Sequence, residues 1–374
     1  MKIVHVVESM RRGGAESVVV EHVRHAGPGF ETAVVALNDG GPALEEARAA
    51  GARAYHIGKH GARLDGITRL AAILREEHPD VVNGHNATGG LYAVMAARLA
   101  GIPVVFRTEH TLHFPARHSV VYPFLEPLAT ALTRRVVCVC QAVLESHVSR
   151  LPWAARRFVT VANGISPAPH TRPREDVRHE LGMGEADTLV LSVGSLTPQK
   201  AQDVLIDAFA VAAPRSPSAR LVIAGEGPLR GALESRIATL GLAERVRLLG
   251  DRSDAADLMA AADLFVLSSR REGLPMTLIE AMRAGCAAVS TRIGGTGEAI
   301  EDGVTGRLVG VGDVAALGDV IATLLDDHAT RRAYGTAGRA RFHARFTAER
   351  MVRETEALYR EVGGVSAWRA GSAA

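Results

Sequence analysis

The part of this chain that decides its fold is residues 263–291, DLFVLSSRREGLPMTLIEAMRAGCAAVST. It begins with a short apolar run at 263–267 and ends with a second one at 286–291. The residues near 274–284 between these runs have the apolar spacing of a helix. Because both runs are almost continuously apolar, they predict strands that are buried on both faces, as in a parallel sheet. The segment is therefore typical of a strand, a crossover helix and a second parallel strand.

The same alternation extends along the chain in both directions. In the first half, apolar runs predict strands at 2–7, 31–37, 53–57, 80–83, 103–108, 135–140 and 158–162. In the second half they predict strands at 188–193, 219–224, 245–249, 263–267, 286–291 and 306–309. Helices are predicted at 15–26, 200–213, 228–240, 274–284 and 313–325, and over about 329–362 with Gly335 and Gly338 as weak points. Two such series predict an α/β protein with two doubly wound domains.

The alternation breaks at 164–187, which holds three prolines, three glycines and many charges. We expect a linker there, with one short helix. The predicted domains are 1–165 and 188–346, joined by the linker at 166–187. Ligands of doubly wound sheets bind at the carboxyl ends of the strands. Two such sheets with their carboxyl edges facing each other would therefore form a cleft.

The composition excludes several classes of function. The 374 residues carry 43 Lys+Arg and 41 Asp+Glu, a net charge of +2, which is too balanced for a protein that binds nucleic acid over its whole surface. Aromatic residues make up 4%, too few for the stacking platforms of single-strand binders. The 3 cysteines exclude a disulfide scaffold. No apolar run approaches the roughly 18 residues of a membrane span, so we expect a cytoplasmic protein, with peripheral association at the inner face of the membrane left open.

Motifs of several common enzyme classes are absent from the sequence. There is no G-x-S-x-G nucleophile elbow, no Walker-type phosphate loop and no H-E-x-x-H zinc motif. There is also no Asp-x-Asp pair of the kind that often holds a divalent ion on a diphosphate. His110, His113 and His118 lie close in sequence, but their spacing fits no common metal set. We therefore expect no metal site at these histidines, and none of the motifs present indicates a cofactor.

Three turns that contain glycine follow predicted strands. Gly13 and Gly14 lie in a GGAE motif, where small residues let the backbone approach a ligand, although a simple tight turn is the alternative. GEGPLRG at 225–231 differs from the dinucleotide fingerprint by one extra residue and by its place on the second strand of its half. Lys200 ends the turn VGSLTPQK at 193–200, where it can neutralise a diphosphate; a solvated surface lysine is the alternative.

The strongest signal in the sequence is the pair Glu272 and Glu280. Glu272 lies in the loop after the strand at 263–267, and a helix is predicted to begin near Leu274. The free N–H groups at the start of that helix form an anion site. Glu280 is expected about two turns into the helix. Carboxylates in these two places could bind hydroxyl-bearing groups on either side of a phosphate; two solvated glutamates are the alternative.

The same pair carries a family resemblance. Glu272 and Glu280 form an E-x7-E pair in EGLPMTLIEAMRAG, which is followed by Gly294-Gly295-x2-Glu298. This segment resembles the signature of the retaining family-four glycosyltransferases, which have two Rossmann-like domains facing across a cleft, the GT-B architecture. The other motifs that match, in the same order and over nearly the whole chain, are GGAE at 13–16, TEH at 108–110, NGI at 163–165, the Lys200 turn and GEGP at 225–228.

The resemblance implies an enzyme that transfers a sugar from a nucleoside-diphosphate sugar without a metal. It implies that Glu272 binds sugar hydroxyls, that Glu280 binds ribose hydroxyls and that Lys200 neutralises the leaving diphosphate. It implies that His110 lies near the reacting centre, so that the catalytic residues are His110, Lys200 and Glu272. The further donor-binding residues that it implies are Gly13, Gly14, Ser195, Leu249, Arg252, Gly273, Leu274, Pro275, Met276 and Thr277.

One position departs from the family pattern. Many members carry an arginine after the glycine of the Lys200 turn, where this chain has Ser195. Either another cation substitutes, with Arg230 and Arg292 as candidates, or Ser195 contributes a neutral hydrogen bond. The departure leaves the core chemistry intact and bears on donor affinity and sugar choice.

The resemblance also assigns the acceptor, a sugar or a lipid-linked sugar, to the N-terminal domain, on which the C-terminal helix at about 347–374 is expected to pack. Residues 98–174 hold ten arginines against three acids, so that their net charge is +7. These cations, near Trp153, could contact an anionic membrane surface, or they could be scattered solvated arginines. The implied product is a cell-envelope glycan or glycolipid. The alternative functions are a nucleotide-sugar-binding protein and an epimerase or phosphorylase of the same architecture.

Overall fold

A computed structural model describes residues 1–11, 13–59, 64–112, 122–167 and 171–363. His113 and His118 lie outside the described residues. The chain divides into two compact units. The first unit is Met1–Ser166 together with Thr347–Ala374, and the second unit is Pro167–Phe346.

The first unit contains a parallel sheet. Its strands are β1 (Lys2–Ser9), β2 (Glu31–Asp39), β3 (Arg53–His56), β4 (Val81–His85), β5 (Val105–Glu109), β6 (Arg135–Cys138) and β7 (Phe158–Thr160). They are ordered β3-β2-β1-β4-β5-β6-β7. Alternate residues of β2 enter different cores, since Val35 packs with one apolar cluster and Val34 with another. The prediction of strands buried on both faces is therefore confirmed.

Helices connect these strands. They are α1 (Gly14–Arg24), α2 (Pro42–Ala49), α3 (Asp65–Glu77), α4 (Asn86–Ala100), α5 (Tyr122–Leu132) and α6 (Gln141–Arg150), followed by a short 3₁₀ helix at Pro152–Arg157. A last helix of the chain also belongs to this unit, and its side chain Tyr359 is fully buried against the edge of the Phe106 ring in β5.

The second unit repeats the plan with a second parallel sheet. Its strands are β8 (Thr188–Val193), β9 (Ala219–Ala224), β10 (Val246–Gly250), β11 (Leu264–Leu267), β12 (Ala287–Thr291) and β13 (Arg307–Val309), ordered β10-β9-β8-β11-β12-β13. Its helices are α7 (Arg174–Glu180), α8 (Gln202–Ala212), α9 (Arg230–Thr239), α10 (Ala255–Ala261), α11 (Met276–Ala284), α12 (Thr296–Ala299), α13 (Val314–Asp326) and α14 (His328–Arg345). The prediction of two doubly wound α/β domains is therefore confirmed.

The segment expected to be a linker contains α7, which is tied to the body of the second unit. Arg174 donates to Asp263 at 2.6 Å and Arg178 donates to the same carboxylate at 3.1 Å. Thr171 donates from its backbone N–H to Asp257 at 2.6 Å. Ion pairs thus hold this charged stretch against the start of β11.

The sequence prediction was wrong about the end of the chain. The stretch at 329–362 is not one helix, because α14 ends at Arg345 and a new helix, α15 (Ala348–Gly363), begins after Phe346 and Thr347. Gly335, expected as a weak point, is a buried interior position of α14. A Cβ at Gly335 would overlap the carbonyl oxygen of Gly285, so the glycine serves close packing and not helix breaking.

Candidate active site

Lys200 lies where the chain leaves β8 and enters α8. The residue after it, Ala201, has a φ of 51°, a left-handed conformation that favours glycine. Ser268, at the end of β11, donates its hydroxyl to the carbonyl oxygens of Lys200 at 3.0 Å and of Ala201 at 2.9 Å. The neighbouring strand thus holds the unusual backbone turn that carries the Lys200 side chain.

Glu272 lies in the loop after β11, and its side chain is buried. Its Oε1 accepts from Nζ of Lys200 at 2.7 Å and from the hydroxyl of Ser269 at 2.7 Å. Since β8 and β11 are neighbouring parallel strands, their carboxyl ends meet at one edge of the sheet. The structure therefore brings together two of the three predicted catalytic residues, as an ion pair.

Two glycines support the loop that carries Glu272. Gly294 has a φ of 43°, and a Cβ there would overlap the carbonyl oxygen of Glu272. Gly295 donates its N–H to the carbonyl oxygen of Gly273 at 2.7 Å. The Gly294-Gly295 motif thus acts by close backbone approach, which fixes the loop from the side of β12.

The start of α11 offers hydrogen-bond donors at the same edge. The helix begins at Met276, two residues later than predicted, with Pro275 as an N-cap that supplies no side-chain hydrogen bond. Gly273 and Leu274 precede it in the buried loop. The first N–H groups of a helix have no partner within it, and its dipole favours anions. The hydroxyl of Thr277 is buried and has no hydrogen-bond partner in the part of the chain that the structure describes.

Glu280 lies closer to this helix start than expected. It is the fifth residue of α11, just over one turn from Met276 and not about two turns into the helix. The side chain is half-buried, and within the described residues it makes neither a hydrogen bond nor an ion pair. Burial raises the pKa of Glu280, and the charge of Arg283 partly offsets this rise. Its carboxylate is therefore poorly compensated in the free protein.

The GEGP loop supports the Lys200 turn. A Cβ at Gly225 would overlap the carbonyl oxygen of Gly194, and a Cβ at Gly227 would press on the backbone of Leu196. Leu196 also donates its N–H to the carbonyl oxygen of Glu226 at 2.9 Å. These contacts explain the glycines of this motif by packing against the turn.

Two of the predicted donor-binding residues, Leu249 and Arg252, lie at the end of β10. Leu249 belongs to the strand, and Arg252 follows it. Arg252 donates to Asp254 at 2.7 and 2.6 Å and to Glu180 at 2.9 Å. These two carboxylates raise the pKa of Arg252 and hold its guanidinium in place.

Neither cation that could replace the missing arginine is free in the structure. Arg292 pairs with Asp302 at 2.7 Å, and Arg230 pairs with Glu226 at 2.9 Å. Ser195 itself is exposed, and its carbonyl oxygen accepts from Gln202 at 3.0 Å. A neutral Ser195 hydroxyl thus remains at this position of the turn.

The remaining predicted residues belong to the first unit. Gly13 is the N-cap of α1 and Gly14 is its first residue, directly after β1. His110 directly follows β5, and its backbone N–H donates to Oδ1 of Asn86 at 3.0 Å. The His110 ring is buried, and burial lowers its pKa to about 4, so that it is neutral at pH 7.

Sequence reasoning missed two groups of residues. Ser268 and Ser269 follow the predicted strand at 263–267 and were given no role, although Ser268 binds the Lys200 turn and Ser269 binds Glu272. Two further histidines, His5 and His85, form hydrogen bonds in line with His110. A polar residue within a buried apolar strand, as at His5, is the signal that could have revealed them.

The described residues contain neither a candidate metal cluster nor a candidate membrane span. In that part of the chain, no group of three or more His, Cys, Asp or Glu side chains is arranged to hold a metal ion. None of its helices is both long enough and apolar enough to cross a membrane.

Comparison with known proteins identifies the family. The model of Glycosyltransferase Family 4 matches residues 12–168, and the model of Glycosyl transferases group 1 matches residues 173–341. N-acetyl-alpha-D-glucosaminyl L-malate synthase of Bacillus anthracis is 30% identical over 303 residues, which cover 79% of this chain and 78% of that protein. UDP-Gal:alpha-D-GlcNAc-diphosphoundecaprenol alpha-1,3-galactosyltransferase of Escherichia coli is 29% identical, over 70% of each chain.

Solved structures show the same fold. HepE of Anabaena, in complex with UDP and glucose, has a TM-score of 0.85 and 22% identity over 96% of this chain and 100% of that one. Sucrose-phosphate synthase of Thermosynechococcus elongatus has a TM-score of 0.80 and 18% identity over 98% of this chain and 100% of that one. The chain therefore belongs to the family-four glycosyltransferases and has their GT-B architecture of two Rossmann-like domains.

Proposed function

We propose that this glycosyltransferase is retaining and metal-independent, and that it transfers a sugar from a nucleoside-diphosphate sugar to a cell-envelope glycan or glycolipid. The observation that carries the proposal is the Lys200–Glu272 ion pair at the carboxyl edge of the second sheet. A cation, a carboxylate and the start of α11 all lie at this edge. These are the groups that a diphosphate bound to a sugar requires.

In the proposed chemistry, the two members of the ion pair bind different parts of the donor. Lys200 binds the diphosphate, and Glu272 accepts hydrogen bonds from sugar hydroxyls. The N–H groups at the start of α11 and the Thr277 hydroxyl donate to diphosphate oxygens, and Glu280 binds the ribose. Preorganised donors of this kind typically contribute about 2.7–4 kcal/mol each to the transition state.

The proposal of metal independence is supported by the groups that face the leaving diphosphate. As the bond between the anomeric carbon and the diphosphate oxygen breaks, negative charge grows on the diphosphate. Lys200 and the dipole of α11 offer positive potential for that charge. The acceptor oxygen attacks on the face that the diphosphate leaves, and its proton passes to the leaving phosphate oxygen. This route needs no carboxylate nucleophile.

Two similar proteins indicate which donor and which acceptor to test first. The name of the Escherichia coli relative states a UDP-Gal donor and a diphosphoundecaprenol-linked acceptor, and the Anabaena structure contains UDP and glucose. We therefore propose a UDP-sugar as the first donor to test and a lipid-linked sugar as the first acceptor.

We extend the proposal to contact with an anionic membrane surface. Trp153 is 58% exposed, and Arg156 beside it is also exposed. Arg157 donates to the carbonyl oxygen of Thr133, so that the 3₁₀ helix lies next to the end of α5. Two apolar side chains of α5, Phe124 and Leu128, are also exposed. Of the arginines counted in the sequence, Arg107 and Arg150 are instead paired with Glu109 and Glu126.

Sedimentation with vesicles tests the membrane contact. The protein should sediment with phosphatidylglycerol vesicles and not with phosphatidylcholine vesicles. Replacement of Trp153 by Ser should reduce the bound fraction. Equal sedimentation with both vesicles would contradict an electrostatic contact.

A donor screen tests the catalytic proposal. Thermal unfolding is followed with UDP, GDP and ADP and their sugars, because a bound ligand raises stability by RT ln(1 + [L]/Kd). Turnover is then measured as release of nucleoside diphosphate in the presence of a lipid-linked sugar, with and without EDTA. We expect unchanged turnover in EDTA and a product with the anomeric configuration of the donor. Loss of turnover in EDTA that Mg²⁺ restores would refute metal independence, and an inverted product would refute retention.

The same screen separates the alternatives. A nucleotide-sugar-binding protein would be stabilised by the donor and would release no nucleoside diphosphate with any acceptor. An epimerase would change the sugar and need no acceptor. Intact Lys200, Glu272 and His110 favour the transferase.

A further inference from the structure

Four buried histidines of the first unit form a continuous row that ends at His110. His22 of α1 stacks on His5 of β1, with ring centroids 5.4 Å apart. Nδ1 of His5 lies 3.0 Å from Nε2 of His85, and Nδ1 of His85 lies 2.9 Å from Nε2 of His110. The row therefore contains two hydrogen bonds, which join the rings of His5, His85 and His110. We call these three residues the histidine chain.

All the rings of this row are neutral near pH 7. Burial lowers the pKa of His5 and of His110 to about 4, and it lowers the pKa of His22 and of His85 well below the usual value. Glu109 opposes this effect at His110 but does not reverse it. Each ring of the chain therefore carries one ring proton.

Counting protons leaves two arrangements for the chain. Each nitrogen–nitrogen hydrogen bond needs one proton between its two atoms. If His85 carries its proton on Nε2, it donates to His5 and must accept from Nε2–H of His110. If His85 carries its proton on Nδ1, it donates to His110 and must accept from Nδ1–H of His5. In the first arrangement all three rings are Nε2–H tautomers, and in the second all three are Nδ1–H tautomers.

We propose that His5 and His85 are positioning residues that set the tautomer of His110 by this coupling. Nδ1 of His110 is buried and has no hydrogen-bond partner within the described ranges. In the first arrangement this nitrogen can only accept a hydrogen bond, and in the second it can only donate one. The tautomer that the three rings share thus determines whether Nδ1 of His110 binds a hydroxyl hydrogen or an oxygen lone pair. This inference rests on the proposed function and on the family resemblance, which implies that His110 lies near the reacting centre.

The geometry favours a chain of hydrogen bonds over a metal site. Within this row the nitrogens point at each other in pairs and do not converge on one point. His5 and His85 lie on neighbouring strands, and His110 follows the next strand, so that the rigid sheet fixes all three rings. Such support is what holds a functional imidazole in one tautomer and orientation.

Nitrogen NMR of the full-length protein tests the coupling without any substrate. The protein is labelled with ¹⁵N at its histidines, and ring nitrogen shifts at pH 7 report the tautomer of each ring. Single His→Gln variants assign the signals. We expect His5, His85 and His110 to show the same tautomer. Different tautomers among the three, or a charged ring among them, would overturn the proposal.

Two variants extend this test. His85→Leu removes both hydrogen bonds, so the His110 shifts should move toward the average of the two tautomers. His22→Phe is the control, because it keeps a ring stacked on His5 and leaves both bonds intact; the His110 shifts should not move. Unchanged His110 shifts in His85→Leu would overturn the proposal. If His85→Leu does not fold, the spectrum of the unsubstituted protein still decides.

Turnover with UDP-glucose as the probe adds a functional readout. His5→Leu breaks the outer hydrogen bond and should lower kcat about tenfold with KM changed less than about twofold, as when an outer partner of a functional histidine is lost. His5→Asn places a polar atom near the position of Nδ1 and should restore most of kcat. A fall in kcat that His5→Asn does not relieve would count against the proposal. If the unsubstituted protein turned over none of the nucleoside-diphosphate sugars of the donor screen, that result would contradict the proposed function and leave the NMR result valid.

Discussion

At the scale of single residues, Glu272 receives two hydrogen bonds on one oxygen atom. Lys200 and Ser269 both donate to Oε1, each at 2.7 Å. In the free protein the lysine charge is therefore balanced by the carboxylate that is proposed to bind the sugar. Donor binding would replace this ion pair by two new contacts, while the Ser269 hydrogen bond keeps Glu272 in its orientation.

Ser269→Ala should therefore reduce activity more than stability. Hydrogen bonds to charged groups contribute about 1.5–3 kcal/mol, so we expect kcat/KM with the donor to fall by a factor of about ten or more. Steady-state kinetics measures the effect. Ser216→Ala is the matched control, since Ser216 also donates to a carboxylate, that of Asp326 at 3.3 Å, but lies at the amino-terminal edge of the sheet. Equal losses in the two variants would argue against a positioning role for Ser269.

Glu280→Gln should raise the stability of the free protein and weaken its binding of the nucleotide. Because burial raises the pKa of Glu280, the folded state binds the proton more tightly than the unfolded state, and the ionised carboxylate disfavours folding above that pKa. The neutral amide should thus raise the Tm of the free protein at pH 7, and the gain should vanish at pH values below the unfolded pKa.

The same substitution should weaken nucleotide binding about tenfold, since an amide replaces the carboxylate that is proposed to accept from the ribose hydroxyls. Calorimetry with UDP measures it. Glu244→Gln, an exposed glutamate of the same unit, should change neither Tm nor affinity. An unchanged affinity in Glu280→Gln would remove Glu280 from the donor site.

At the scale of elements, the packing of α14 shows why its glycines do not break the helix. Gly335 lies inside α14, and its backbone approaches the carbonyl oxygen of Gly285, which ends α11 in a left-handed conformation with φ 73°. The two helices therefore meet at a pair of glycines. This contact fixes the carboxyl end of α11, the helix whose other end carries the predicted anion site.

Gly335→Ala should destabilise the second unit by about 1–3 kcal/mol, because the added methyl overpacks a backbone contact. The Tm of that unit should fall by several degrees, as measured by calorimetry. Gly231→Ala is the control, because a Cβ at this position in α9 meets nothing within 4 Å. We expect Gly231→Ala to raise stability by up to about 1 kcal/mol. If Gly335→Ala raised the stability, Gly335 would only weaken the helix and would not be needed for packing against Gly285.

At the scale of the whole molecule, α15 packs in the first unit although the whole second unit precedes it in the sequence. Tyr359 of α15 packs against Phe106 with ring centroids 4.9 Å apart, and its hydroxyl accepts from Nδ2 of Asn83 at 2.8 Å. Asn83 also donates to Thr108 at 3.0 Å. Asn83 lies two residues before His85 on the same strand, so both side chains occupy one face of the sheet.

Tyr359→Ala should therefore loosen the first unit selectively. Loss of a large buried aromatic side chain typically costs about 3–5 kcal/mol. Hydrogen exchange followed by mass spectrometry should show faster exchange in α15 and β4, with α13 and α14 unchanged. Tyr359→Phe keeps the ring and removes only the hydrogen bond, so we expect a loss of about 1–2 kcal/mol. Faster exchange in α13 and α14 as well would contradict an independent role for this contact.

Much of the architecture was predictable, because a strand that is buried on both faces is a nearly continuous apolar run in the sequence. The run at 188–193 was placed with the bounds that the structure has for β8, and the run at 219–224 with those of β9. Two short helices of the second unit, α10 at Ala255–Ala261 and α12 at Thr296–Ala299, were not among the predicted elements. The sequence of α10 has no clear apolar period. The apolar pattern predicted one helix over about 329–362 and gave no sign of the break at Phe346 and Thr347. Only the family resemblance placed a last helix from about 347.

The residues of the candidate site could be predicted from the sequence, but the contacts between them could not. The spacing of Glu272 and Glu280 and the glycine motifs stand in the sequence itself. That the Lys200–Glu272 pair forms was not expected, because its partners are 72 positions apart and meet only when β8 and β11 become neighbours.

By itself, the sequence determined the strands, the two parallel sheets and the family, since apolar period and motif spacing are local properties of the chain. Only the tertiary structure decided that Ser269 holds Glu272, that Gly335 packs on Gly285 and that His5, His85 and His110 form one row. His5 and His85 are 80 positions apart, and His85 and His110 are 25 apart. The order of strands in a sheet sets which distant side chains become neighbours, and no local pattern encodes that order.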